Sequence, residues 1–324
     1  MADLPATFAD IIAAKQRISK YLHKTPVFTS STADELSGKQ LFFKADSLQK
    51  TGSFKARGAL NAILAAKERN PSLSGIVTHS SGNHGQAVAW ASRCVGLPSF
   101  VVVPKTAAAN KKAAIQAYGA HLIECEPNPA ARSETCERLR QEKQLEFIPP
   151  YDHPDVIAGQ GTAALELLDE VNDLDAILVP TSGGGLISGI AIAAKFIRPS
   201  IKVFAVSPKG KMLEDCLRSG ERLWPEPSQY LNTIADGIQL QSVGHVTFPI
   251  LLQLAEKEVF EMSDDEIIQG MRFVFQRMKL VIEAAAGASA AAALSEKMRS
   301  MDSSLRKVGV ILCGGNTDID RLPW

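Results

Sequence analysis

Lys55 stands in the segment Lys50-Thr-Gly-Ser-Phe-Lys-Ala-Arg-Gly58, with Phe54 beside it and a glycine on either side. A lone lysine is by default a solvated surface charge. The aromatic neighbour and the glycines describe a close-packed loop instead, where an amine that sheds its proton can hold a carbonyl compound as a Schiff base. A second candidate is Ser182-Gly-Gly-Gly-Leu186, which follows the apolar run Ala176-Ile-Leu-Val179 and opens a helical stretch. Free amides at a helix start, aligned with its dipole, hold an anion. A tight turn alone does not need three adjacent glycines. The loop is no dinucleotide fingerprint, because Ser188 stands three positions after Gly185, and it lacks the Lys-Ser/Thr ending of a P-loop. A compact monophosphate fits it better than a nucleotide.

These loops need elements to aim them. Short β-branched runs (75–79, 99–103, 176–179, 202–206, 307–312) alternate with alanine-rich helical stretches (85–94, 107–118, 186–196), the pattern of an α/β fold around parallel strands. Ligands of such folds bind where strands end and helices begin. Three such junctions are rich in Gly, Ser and Asn: 80–85, 181–189 and 313–318. The proline-rich stretch 147–154 reads as a linker, giving a small domain over 75–149 and a large one from 1–74 plus 150–324. Ala284 to Ala293 reads as a small-residue helix packed closely on its neighbours.

The 324 residues carry 35 basic and 35 acidic side chains without long runs of one sign. Nothing in that balance favours nucleic acid or an anionic membrane, so a small molecule is the expected partner. Cys94, Cys125, Cys136, Cys216 and Cys313 are odd in number, scattered and without a CxxC pair, which argues against a disulfide framework or zinc ribbon. The start lacks a basic region followed by an apolar core, and no apolar run reaches the ~18 residues that span a bilayer. A cytoplasmic protein is expected.

The segments Ser53-Phe-Lys-Ala-Arg-Gly58, Ser80-Ser-Gly-Asn-His-Gly-Gln86, the glycine loop, Thr233-Ile-Ala-Asp-Gly237 and Cys313-Gly-Gly-Asn316 resemble, in order, the signatures of the fold-type II pyridoxal-phosphate enzymes. Within them the chain is most similar to the serine racemases and the serine and threonine dehydratases, from Thr25 to Asp318. The resemblance implies a tryptophan synthase β-like α/β fold, two open twisted sheets flanked by helices, and a homodimer. It implies that Lys55 carries pyridoxal 5'-phosphate and acts as one acid/base, with Phe54 against the pyridine ring. Asn83 would bond the ring hydroxyl, the amides of Ser182, Gly183, Gly184, Gly185 and Leu186 the phosphate, and Gly237 would border the cofactor. Cys313 would face the pyridine nitrogen. A neutral thiol there gives a weaker electron sink than a carboxylate, which suits racemisation and β-elimination. Ser80, Ser81, Asn83, His84, Arg132 and Asp236 fall where the family binds substrate, although His84 is equally readable as an ordinary helix-start histidine.

Ser81 separates the subfamilies. Inverting an α-carbon requires a proton donor opposite the lysine, and racemases of this family carry serine here where many dehydratases carry alanine. Some hydroxyaspartate dehydratases carry the serine too. The leading expectation is a serine racemase that also eliminates water, giving pyruvate and ammonia. The alternative is a dedicated serine, threonine or 3-hydroxyaspartate dehydratase. A non-catalytic ligand sensor is the reading from another class, and it has no need of Lys55.

Two departures stand out. The family's Mg²⁺ or Ca²⁺ site begins with Glu-Pro, here Ser207-Pro208, leaving Glu214 and Asp215 as candidate ligands. Pro150-Tyr-Asp-His-Pro154 resembles hydroxyaspartate and threonine dehydratases, so the choice among small hydroxy amino acids stays open. ATP, an effector of some relatives, would contact Ser30, Ser31, Lys50, Thr51 and Tyr118 by the same resemblance.

Overall fold

The computed structural model describes residues 4–324. The chain begins α1 (Phe8–Ile18), β1 (Val27–Phe28), α2 (Ser31–Ser37), β2 (Gln40–Ala45) and α3 (Lys55–Arg69). There follow β3 (Ile76–His79), α4 (Asn83–Cys94), β4 (Ser99–Pro104), α5 (Ala109–Ala117), β5 (His121–Cys125), α6 (Pro129–Lys143) and β6 (Glu146–Phe147). Next come α7 (Pro154–Glu170), β7 (Ala176–Pro180), α8 (Gly185–Ile197), β8 (Lys202–Pro208) and α9 (Leu213–Ser219). The last elements are α10 (Thr247–Leu254), β9 (Val259–Met262), α11 (Asp264–Phe273), α12 (Ala284–Leu294), α13 (Glu296–Ser300) and β10 (Lys307–Leu312).

The strands form two sheets. One has six strands in the order β1-β2-β10-β7-β8-β9, parallel except for β1; the other has four, β5-β4-β3-β6, all parallel. Central strands such as β7 are buried on both faces, which is why they read as continuous apolar runs. No helix among the described residues is long and apolar enough to cross a membrane.

Close helix contacts set the distance between the two candidate loops. A Cβ on Gly159 of α7 would lie 2.6 Å from Gly58 Cα of α3, and one on Gly161 would lie 2.8 Å from the Gly189 carbonyl of α8. Glycine thus lets α7 touch both α3, which starts at Lys55, and α8, which starts at Gly185. The alanine-rich α12 works alike, since a Cβ on Gly270 of α11 would stand 2.5 Å from its Ala291 nitrogen.

Two residues past Lys55, the buried Arg57 donates to Asp46 Oδ1 and Oδ2 (2.8 Å each) and to Glu166 Oε1 (2.7 Å) and Oε2 (2.8 Å). Lys44 of β2 reaches the same Glu166 at 2.7 Å. Burial opposes charge on Asp46, but the Arg57 guanidinium beside it outweighs that and holds its carboxyl below the usual range. The cluster joins β2, α3 and α7, and so fixes the helix that carries Lys55.

Candidate active site

Strands β3, β7 and β10 all end at one cavity of about 650 Å³, lined among others by Lys55, Ser81, Asn83, Gly183, Arg132 and Cys313. Lys55 projects into it from the first turn of α3, donates to the Pro150 carbonyl, and lies 5.1 Å from the centre of the Phe54 ring. The surrounding protein desolvates the ammonium and pushes its pKa down to about 8, although the Glu283 carboxylate favours the charged form. A lysine so placed yields its proton near neutral pH.

The glycine loop links β7 to α8. A Cβ on Gly183 would fall 2.4 Å from the Tyr151 ring, one on Gly185 would fall 3.0 Å from the Tyr151 backbone, and Gly184 has φ +94°. Thr247 Oγ1 (2.7 Å) and the Gly244 amide (3.0 Å) both donate to the Gly183 carbonyl. The carbonyl is thus turned into the protein, and the leading amides of α8 have no intrahelical acceptors. The cradle suits a phosphate, and the three glycines are explained by Tyr151 and Thr247 lying so close.

Ser80, Ser81 and Gly82 form the loop from β3 to α4, with the Gly82 amide bonded to Ser80 Oγ at 3.2 Å. Asn83 opens α4 and donates to both carboxyl oxygens of Glu283, and its own Oδ1 accepts from Asn316 at 2.9 Å. Cys313 directly follows β10, and burial pushes its thiol well above the usual range, so it is uncharged. Gly237 lies in the turn Asp236–Ile238, where Asp236 pairs with Lys111 of α5. Arg132 of α6 donates to the Tyr230 hydroxyl at 3.1 Å.

Several of the expected site residues have partners within the fold. His84 cannot grip a carboxylate as a charged ring: Nε2 donates to the Ile148 carbonyl at 2.9 Å, and burial lowers its pKa to about 3. Glu214 is occupied elsewhere, accepting from the Val259 amide (2.9 Å) and pairing with Arg218 (2.7 Å), while Asp215 is exposed. Among the described residues no group of three or more His, Cys, Asp or Glu could hold a metal. Ser30 caps α2 and Ser31 begins it, Lys50 and Thr51 form the turn before α3, and Tyr118 packs beside Ile115. The stretch taken for a linker does more, because Asp152 accepts from the amides of His245 (3.0 Å), Val246 (2.9 Å) and Thr247 (3.1 Å).

Sequence reasoning missed Glu283. It is buried at the start of α12, and desolvation raises its carboxyl to about 7 against the hydrogen bond from Asn83. The signal was faint: one acid ahead of an alanine tract. Asn316, which also donates to the Thr51 carbonyl at 2.8 Å, was noted only as part of a motif.

Residues 18–314 match the family described as pyridoxal-phosphate dependent enzyme. The chain belongs to that family. The enzyme is 46% identical to serine racemase of Dictyostelium discoideum over 98% of its own length and 96% of the relative's. It is 42% identical to L-threo-3-hydroxyaspartate ammonia-lyase of Saccharomyces cerevisiae, covering 97% and 94% of the two chains. A crystal structure of a pyridoxal 5'-phosphate-dependent aspartate racemase superposes with a TM-score of 0.98 at 57% identity, covering 100% of both chains. The site fits the cofactor: an amine inclined to lose its proton, a glycine cradle that any Cβ would fill, and an uncharged thiol at a strand end.

Proposed function

We propose that the enzyme racemises a small amino acid and eliminates water from β-hydroxy substrates, serine giving pyruvate and ammonia. The observation that carries this is one cavity lined by both Lys55 and Ser81, the lysine entering from α3 and the serine from the β3–α4 loop. Pyridoxal phosphate, when bound, supplies the electron sink that stabilises negative charge at the substrate's α-carbon. The leading amides of α8 hold the phosphate, and Phe54 packs against the ring. Asn83, fixed between Glu283 and Asn316, orients the ring hydroxyl. Cys313, a neutral thiol, would face the ring nitrogen. Lys55 Nζ removes the α-proton of the L-substrate, and Ser81 Oγ returns a proton on the opposite face, giving the enantiomer. The Ser80–Asn83 loop and the N-terminus of α4 receive the substrate carboxylate.

A second reading is an acidic substrate, aspartate or 3-hydroxyaspartate. It is favoured by Arg132 and Lys111 on the cavity wall and by the identities to the aspartate racemase and the hydroxyaspartate ammonia-lyase. Incubation with L-serine, L-threonine, L-aspartate and 3-hydroxyaspartate, with D-enantiomer and keto acid both measured, tests the two. D-Serine with pyruvate supports the first, D-aspartate or oxaloacetate the second, and no turnover of any overturns both. Cytoplasmic residence and a homodimer belong to the same proposal, supported by five free thiols and by the family resemblance respectively. An ATP effect through Ser30, Ser31, Lys50, Thr51 and Tyr118 rests on resemblance alone, and is tested by a thermal shift with ATP.

A further inference from the structure

Lys211 lies between β8 and α9 and is fully buried. Two left-handed residues flank it, Gly210 at φ +88° and Met212 at φ +57°. A methionine keeps such a backbone only where its surroundings hold it there. The ammonium donates to the carbonyl oxygens of Leu240 and of Gln241, the latter at 3.2 Å. Its own carbonyl accepts from Trp224 Nε1 at 2.6 Å.

A buried ammonium is normally matched by a carboxylate. Here carbonyl dipoles take that part, and burial brings the pKa to about 7. Arg222 continues the pattern, donating to two further carbonyls of the segment, Val243 and Gly244. Four carbonyls of one short segment thus converge on two cations. That segment is the far end of a flap: Leu231 N bonds the Gln239 carbonyl (2.8 Å), Gln241 N the Gln229 carbonyl (3.0 Å), and Tyr230 pairs with Leu240. Tyr230, Asp236, Gln239 and Leu240 line the cavity, and the Gly244 amide holds the glycine loop.

We propose that Lys211 is a positioning residue for the substrate side of the cavity: its ammonium is a covalently attached cation that gathers the carbonyls of Leu240 and Gln241 and so sets the wall carrying Tyr230 and Asp236. This rests on the reading of the cavity as the amino-acid site. Lys211 does not line the cavity, and it acts through the flap.

The test compares Lys211→Ala and Lys211→Met with the wild-type holoenzyme. Lys211→Ala vacates a carbonyl-lined hole of the kind that K⁺ fills, whereas Lys211→Met leaves an uncharged stem in it. Both variants should keep the visible absorbance of lysine-bound cofactor. KM for the amino acid should rise about tenfold or more while kcat changes less. KCl should restore KM in Lys211→Ala and not in Lys211→Met, and tetramethylammonium chloride at equal ionic strength should restore neither. Hydrogen exchange should quicken over residues 229–241 and stay unchanged in the two sheets. A wild-type KM in Lys211→Met, equal rescue by both salts, or loosening of both sheets would overturn the proposal. No turnover by the wild type itself would instead count against the amino-acid site.

Discussion

Asn83 donates through its side-chain nitrogen to both carboxyl oxygens of Glu283, each 2.9 Å away, and so ties the loop after β3 to the start of α12. The acid is buried, and desolvation keeps its proton on up to about pH 7. A group on which the proposal leans to orient the cofactor is therefore held by a carboxyl that titrates near neutrality.

That coupling has a sign. In the unfolded chain the carboxyl ionises near 4.5, in the folded one near 7. Between these values the folded state binds the extra proton, so stability falls as pH rises through the window. Glu283→Gln removes the effect. The variant's Tm minus the wild-type Tm should therefore grow from pH 4.5 to 7 and level off above. A difference that stays flat across that range would mean that Glu283 ionises normally.

At the glycine loop, Gly183→Ala drives a methyl group to 2.4 Å from the Tyr151 ring. Overpacking of this kind costs about 1–3 kcal/mol, so affinity for pyridoxal phosphate should fall about tenfold or more. Spectroscopic titration of the apoenzyme measures it. Tyr151→Ala in the same chain should recover part of the loss. No recovery would mean that the loop fails for a reason other than the ring.

Removing the guanidinium in Arg57→Met leaves Asp46 buried without its partner. Breaking a buried ion pair from one side costs about 3–5 kcal/mol. Urea unfolding should report a loss of that size, and a loss under about 1 kcal/mol would show the cluster to be nearly neutral in its net effect.

Glu214 is engaged by Val259 and Arg218 and has little left to offer a divalent cation. EDTA should leave the turnover rate within about twofold, because among the described residues no group of three or more His, Cys, Asp or Glu offers a hard cation its ligands. Strong Mg²⁺ or Ca²⁺ activation that the chelator abolishes would contradict this.

What could be read from the chain was contiguous. Lys55 with its glycines, the triple-glycine loop and the strand ending at Cys313 each carry their chemistry within a few residues, and β7, β8 and β10 lie where their apolar runs stand. What stayed hidden is joined only by folding. Asn83 and Glu283 are 200 positions apart, and Arg57 and Glu166 are 109 apart. In the sequence Lys211 is one of two basic residues in Lys209-Gly-Lys211, and burial against the flap sets it apart from Lys209. His84 sits in a signature motif, and its Nε2 bonds the Ile148 carbonyl of a distant segment, which the motif alone does not show.

The central claim is that Lys55 and Ser81 serve opposite faces of one α-carbon, and Ser81→Ala tests it most directly. With L-serine as substrate, formation of D-serine and of pyruvate are measured together, then pyruvate from D-serine. Acid/base groups contribute roughly 10²- to 10⁴-fold, so racemisation should fall at least about a hundredfold. Elimination from L-serine should change far less, and elimination from D-serine should collapse with racemisation. Equal losses in all three reactions, or racemisation left intact, would contradict the assignment of Ser81 to the second face.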